Sequence, residues 1–295
     1  MTAFEVFQKA RRDLSSRTIR AKLIQTVSIG DQKFEASGSY IQGRDLKLRM
    51  SVELRVGRQG TFQGSLLQVC DGEVLWTSHT IGRRSDDSSQ PAKNGQSQVK
   101  PEEPKPHVTR RDVQQIIDEM TRAGGRTRNA IIAELGLGGI PELLASLRET
   151  MIFAEVEQQK IEDELYLVLE GHWNEDVISR LTQLDVVGSS DAKQAEKSLP
   201  RLPQHIPDIV RVYFQRFDGG GLFPRRILYL KRPPARNFFR PMVSLDFDEV
   251  RLNTPVDDSE FEFVPPDLVY TEDVTQQYLN RLRSSTAQPG SAGNQ

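Results

Sequence analysis

The sequence predicts an α+β protein: a half-open, mostly antiparallel β-barrel of about ten or eleven strands, with a helix at its N-terminus and a helical lid. Three observations carry this expectation. Period-two alternation recurs along segments separated by glycine-bearing turns, helical periodicity appears at the start and again in the middle, and strand-like sequence resumes to the end. A chain of 295 residues can bury one large elaborated β-domain.

Taken in order, Phe4, Phe7, Ala10 and Leu14 have helical spacing and open the fold with an amphipathic helix over 4–16. Segments 20–29, 33–42 and 45–56 follow as strands, separated by Gly-Asp and Gly-Arg turn signals. The third alternates most clearly, with Leu46, Leu48, Met50, Val52, Leu54 and Val56 set against Lys47, Arg49, Ser51, Glu53 and Arg55. Strands over 61–69 and 73–81 continue the meander through Cys70-Asp71-Gly72, where Asp-Gly suits a tight hairpin.

Residues 83–107 are polar and proline-bearing, the composition of a disordered inserted loop. Thr109 then caps a helix carrying Val113, Ile116, Ile117 and Met120, and Gly124-Gly125 ends it. Short helices over 129–135 and 141–148 complete a helical lid insertion at 109–149. Strands return at 152–158 and 164–172, a helix is expected at 175–184, and 188–206 is a second polar loop. Strands at 209–217, 226–231, 243–252 and 260–264 precede a helix over 274–282 and a disordered tail, 284–295. The domain is expected to span 1–283.

A net charge of -2 supplies no field for nucleic acid, and no nucleic-acid partner is expected. The one cysteine, Cys70, excludes an intramolecular disulfide. His79, His107, His172 and His205 have no ligand spacing, so neither a metal nor a cofactor is expected. Glu162-Asp163-Glu164 reads as a solvated turn rather than an acid/base dyad, and Gly219-Gly220-Gly221 lacks the following helix of a phosphate cradle. Arg225 to Arg240, interleaved with Tyr229, Phe238 and Phe239, is the one basic and aromatic patch; a nucleic-acid surface is one reading of it, and outward arginines on a strand and proline-rich loop are the reading preferred at this net charge. None of these patterns makes an enzyme.

Two segments resemble the outer-membrane lipoprotein carriers, the LolA-like and LolB-like family. Leu66-Leu67-Gln68-Val69-Cys70-Asp71-Gly72-Glu73-Val74-Leu75-Trp76 is similar to the family's strand, Asp-Gly turn and Leu-Trp strand. Val256 to Pro266, with Phe261 and Phe263 flanking one residue before Pro265-Pro266, is similar to its terminal strand. Ile140 to Leu144 resembles a lid helix, and Arg44 falls where the family places an arginine that ties lid to barrel, although Asp45 stands where a proline usually follows.

The resemblance implies non-enzymatic transport of lipoprotein or lipid acyl chains in an apolar barrel cavity, by a monomer that meets membrane-bound donor and acceptor proteins. The lining expected from inward strand parity is Tyr40, Leu46, Leu48, Met50, Val52, Leu67, Val69, Trp76, Val212, Phe214, Leu245 and Phe247, with Leu143 and Leu144 above it in the lid. The same residues would equally fill a closed core, in which case a protein-binding scaffold of the envelope is the other reading. The resemblance implies the periplasm or cell envelope, with the expectation that a leader is missing from this sequence; the N-terminus has no signal-peptide pattern, so with Met1 as the true start the chain is expected to be cytoplasmic.

Overall fold

A computed structural model describes residues 1–29, 32–56, 62–83, 105–123, 128, 131–132, 135–179, 202–203, 205–217, 220–233, 238–267 and 269–286. Helix α1 (Ala3–Ser15) starts at a capping box in which Glu5 N–H donates to Thr2 Oγ1 at 3.2 Å and Thr2 N–H donates to Glu5 Oε2 at 2.7 Å. Its apolar stripe, Val6, Phe7, Ala10 and Leu14, is buried.

Strands β1 (Ile19–Ile29), β2 (Gln32–Gln42), β3 (Leu48–Val56), β4 (Phe62–Cys70) and β5 (Val74–Arg83) form the predicted meander. The β4–β5 turn uses the expected residues. Asp71 Oδ1 accepts the Glu73 and Val74 N–H groups, each at 2.8 Å, and Gly72 supplies φ of 105°. At Gly38 in β2 the neighbouring strand passes so close that a Cβ would collide with the Ser51 carbonyl.

After β6 (His107–Asp112) come α2 (Val113–Ala123), α3 (Gly139–Thr150), β7 (Met151–Ile161), β8 (Glu164–Trp173), β9 (Ile209–Arg216), β10 (Leu222–Lys231), β11 (Arg240–Leu252), β12 (Thr271–Asp273) and α4 (Thr275–Thr286). Among the described residues all twelve strands form one sheet in the order β12-β6-β5-β4-β3-β2-β1-β11-β10-β9-β8-β7, and every pair except β6–β12 is antiparallel. The edges β12 and β7 do not pair with each other, so the sheet stays open. The α+β half-open architecture is the one expected.

Several elements differ from expectation. Thr109 lies inside β6, and the cap of α2 is Asp112, whose Oδ1 accepts Gln115 N–H at 2.8 Å. Residues 107–112 are polar enough to resemble a loop, but they pair with β5 and with β12, which is too short to recognise from sequence. Segment 260–264 is no strand. Asp258–Phe261 is a 3-10 turn capped by Asp257, and extended chain follows it. Exchanging that segment for β6 and β12 gives twelve strands rather than ten or eleven. The α4 helix continues through Thr286. The expected loops fall largely on 84–104 and 188–201, and Gly124-Gly125 and the tail from 287 likewise lie outside the described residues.

One core joins the sheet to the helices. Helix α1 packs against α3, β7 and β10, while α2 packs against α4 and β5. The Phe7 ring lies 4.5 Å from Phe153 and 5.4 Å from Phe214, centroid to centroid, which seats α1 on the β7–β9 end.

Candidate functional site

The lid helix is anchored to the sheet by two side chains on β2. The Tyr40 hydroxyl donates to Gln42 Oε1 at 2.7 Å, and Ile140 N–H at the start of α3 donates to both Tyr40 Oη, at 3.1 Å, and Gln42 Oε1, at 3.2 Å. Gly138 and Gly139 both have positive φ, and a Cβ at Gly139 would collide with the two anchoring oxygens. Alternation along β2 points Tyr40 and Gln42 to the helix-covered face, so the chain itself supplies the first partner for an orphan helix N–H. Arg44 has no part in this contact. It is exposed in the β2–β3 turn, where its carbonyl accepts Lys47 N–H at 3.0 Å, and the described hydrogen bonds between β2 and α3 are made by Tyr40 and Gln42.

Most of the expected lining lies beneath the helices. Tyr40, Leu48, Val52, Val212, Phe214, Phe247 and Leu144 are buried in the shared core, with Met50, Leu143 and Leu245 half-buried against it. The Tyr40 ring packs at 5.9 Å on Phe247, which packs at 5.7 Å on Phe223. Leu46 packs on this core from the β2–β3 turn, with φ of 66°, rather than from a strand.

Leu67, Val69 and Trp76 point to the opposite face. Register pairs Leu48 with Cys70 and Cys70 with Leu75, so the helix-side parity is Leu66, Gln68 and Cys70 on β4 and Leu75, Thr77 and His79 on β5. Val69 is nevertheless fully buried, because the 256–266 segment straps that outer face. Phe263 packs on Trp76 at 5.4 Å, Arg49 Nη1 donates to Glu260 O at 3.1 Å, Lys47 pairs with Asp258 at 2.7 Å, and Arg20 pairs with Glu260. The second family-like segment is therefore a clamp on the back of the sheet.

The open space lies farther along the same strands, on the helix-side face. Gln25, Val27, Phe34, Ala36 and Leu54 line an apolar hollow of about 340 Å³. Register explains the grouping: Gln25 faces Ala36 and Ala36 faces Leu54 in one cross-strand row, while Val27 faces Phe34 in the next. The first row runs on through Leu245 on β11 in one direction and Gly64 on β4 in the other. At Gly64 an added Cβ would press on the Thr80 carbonyl at 2.9 Å, so the close approach of β5 favours glycine there. A wider groove of about 760 Å³ beside α1 is lined by Lys9, Arg11, Arg12, Arg148 and other largely polar chains. Its Arg11 pairs with Glu142 and its Lys9 with Asp13.

None of the five residues that line the hollow is titratable. Burial pushes the Cys70 thiol up to about 11, which keeps it protonated at neutral pH and unsuited to attack. Among the described residues no three His, Cys, Asp or Glu side chains converge as a metal site. The structure does bring together His79 and His107, which are 28 positions apart in sequence numbers yet lie directly opposite across β5–β6, with ring centroids 5.0 Å apart. No described helix is long and apolar enough to cross a membrane, which leaves strands unaddressed.

No family model matches the chain, and no curated protein matches it. Among solved structures it is similar to a DUF1329 family protein from Desulfovibrio piger, with 8% identity over 88% of this chain and 95% of that one, at a TM-score of 0.28. It is also similar to a putative outer membrane lipoprotein-sorting protein domain from Vibrio parahaemolyticus, at 9% identity, 88% and 97% coverage and a TM-score of 0.26. A LolA superfamily protein from Nitrosomonas europaea gives 12% identity, 89% and 98% coverage and a TM-score of 0.22. These neighbours include the family that the two sequence segments resemble, at scores too low to transfer any residue's role.

Proposed function

We propose that the protein binds the acyl chain of a lipid or lipid-modified protein non-enzymatically, in the hollow formed by Gln25, Val27, Phe34, Ala36 and Leu54, and carries it within the cell envelope. One observation supports this reading above the others. The helices cover one part of the helix-side sheet face, while the adjoining part keeps an apolar hollow at the small end of the ligand-pocket range. Four of its five lining residues are hydrocarbon, and Gln25 is the single polar group.

The energetics suit a cargo that must later be released. Burying about ten methylenes is worth roughly 8 kcal/mol at ~0.8 kcal/mol each. Loss of translational and rotational freedom opposes much of that, so the net affinity is moderate. No bond is made or broken, and no metal is called upon.

Native mass spectrometry of the protein from its own source, followed by organic extraction, tests the proposal. A stoichiometric co-purifying lipid supports it. Protein that arrives empty and takes up no fatty acid or lipopeptide points to the scaffold reading instead.

A further inference from the structure

The β10–β11 hairpin carries the basic and aromatic patch seen in the sequence, and the structure divides its charges into two groups. Three of its cations are neutralised, among them Lys231, which lies opposite Arg240 at the hairpin end. Arg225 pairs with Asp248 at 3.5 Å, Arg226 with Asp246, and Lys231 with Asp208 at 2.9 Å. At the hairpin end the Arg232 backbone N–H donates to Asp208 Oδ2 at 2.7 Å, while among the described residues no carboxylate pairs with the guanidinium group of Arg232 or Arg240. Their guanidinium carbons lie instead 4.6 Å from the Phe239 ring centroid and 5.3 Å from that of Phe238. Phe238 is 52% exposed.

Register places this end at the rim of the hollow. Val27 faces Val243 across β1–β11, and Arg240 lies three residues beyond Val243, about 10 Å at strand rise. On the other side of the hollow, the floor row runs from Leu54 through Gly64 to Ile81, which is 72% exposed. Exposed apolar side chains and two arginines therefore lie on strands to either side of those that line the hollow.

We propose that this rim docks on an anionic lipid bilayer. Aromatic rings settle at the headgroup level, and planar guanidinium groups fit phosphate oxygens. A chain whose net charge is -2 has no general attraction for polyanions, so the local pair of arginines and the apolar mouth favour a membrane over nucleic acid. The inference extends the acyl-binding reading to the surface that would exchange the cargo, and the two can fail separately.

Sedimentation of the full chain with phosphatidylcholine vesicles, with and without phosphatidylglycerol, tests it. The expected result is binding to the phosphatidylglycerol vesicles that weakens with salt. Arg232→Ala and Arg240→Ala should each lower the partition about fivefold, and Phe238→Ser should lower it further, with far-UV circular dichroism unchanged. Equal binding by wild type and all three variants overturns the inference. So does binding of a single-stranded oligonucleotide, with the same arginine dependence, by protein that ignores vesicles. Fatty-acid uptake from solution by the wild-type protein separates the two proposals: uptake without vesicle binding removes only the docking inference, and vesicle binding without uptake removes only the hollow.

Discussion

Ile140 N–H donates to the Tyr40 hydroxyl at 3.1 Å, joining the first turn of the lid helix to a strand 100 residues earlier in the chain. Gln42 Oε1 accepts the same N–H and also the Tyr40 hydroxyl proton, so three buried polar groups satisfy one another. Tyr40→Phe should cost about 1 kcal/mol, because Gln42 still accepts the amide. Adding Gln42→Leu should cost more than the two single changes combined, since the buried N–H then has no acceptor. Urea unfolding of the double-mutant cycle measures the coupling.

Gly139 is required at the same junction. Its φ is 60°, and a Cβ would collide with Tyr40 Oη and Gln42 Oε1. Gly139→Ala should destabilise by roughly 3 kcal/mol. Gly136→Ala, at a positive φ but with open space around the added carbon, should cost clearly less in the same urea titration.

Alkaline stability follows from three buried acids. Burial raises Cys70 from 9.0 to about 11 and Tyr229 from 10.0 to about 12, and it moves Tyr40 upward from 10.0 as well. In each case the folded state holds the proton longer than the unfolded state. Their stabilisation is therefore complete below about pH 9 and is lost as pH rises through the window from 9 to 12. Each group adds a slope of about 1.4 kcal/mol per pH unit within its own window. Thermal melts from pH 8 to 11 should show the decline, and Cys70→Ala should flatten it between pH 9 and 11.

Core and hollow residues should respond differently to charge. Leu48 and Val52 are 5% and 7% exposed beneath the helices, so Leu48→Arg or Val52→Glu should cost about 4 kcal/mol or prevent folding. Leu54, on the same face of β3 but half-buried at the hollow, should accept Glu at a cost of about 1–2 kcal/mol. Soluble yield and Tm distinguish the two groups.

These contrasts show where the sequence could be read and where it could not. Leu48, Met50, Val52 and Leu54 alternate with charged residues, so their shared face was legible. It was not legible that the shared core would bury Leu48 and Val52 and leave Leu54 half-buried, because helix placement depends on pairings such as Phe7 with Phe214 that are remote in sequence. Leu66-Leu67 places two apolar residues together and leaves the parity of β4 ambiguous. Val69 and Trp76 are apolar although they lie on the outer side, because the 256–266 segment packs there. Ala36 lines the hollow by being small, and a small residue on a strand carries no signal of a lining position.

The most direct test is equilibrium titration of a fluorescent long-chain fatty acid into wild type, Leu54→Glu, Ala36→Phe and the distant surface variant Val264→Ser. Saturable uptake at one site, weakened at least about tenfold by Leu54→Glu and Ala36→Phe and unaffected by Val264→Ser, is the predicted result. No uptake by wild type, or uptake that Leu54→Glu and Ala36→Phe leave unchanged in folded protein, would contradict an acyl-binding hollow at this place.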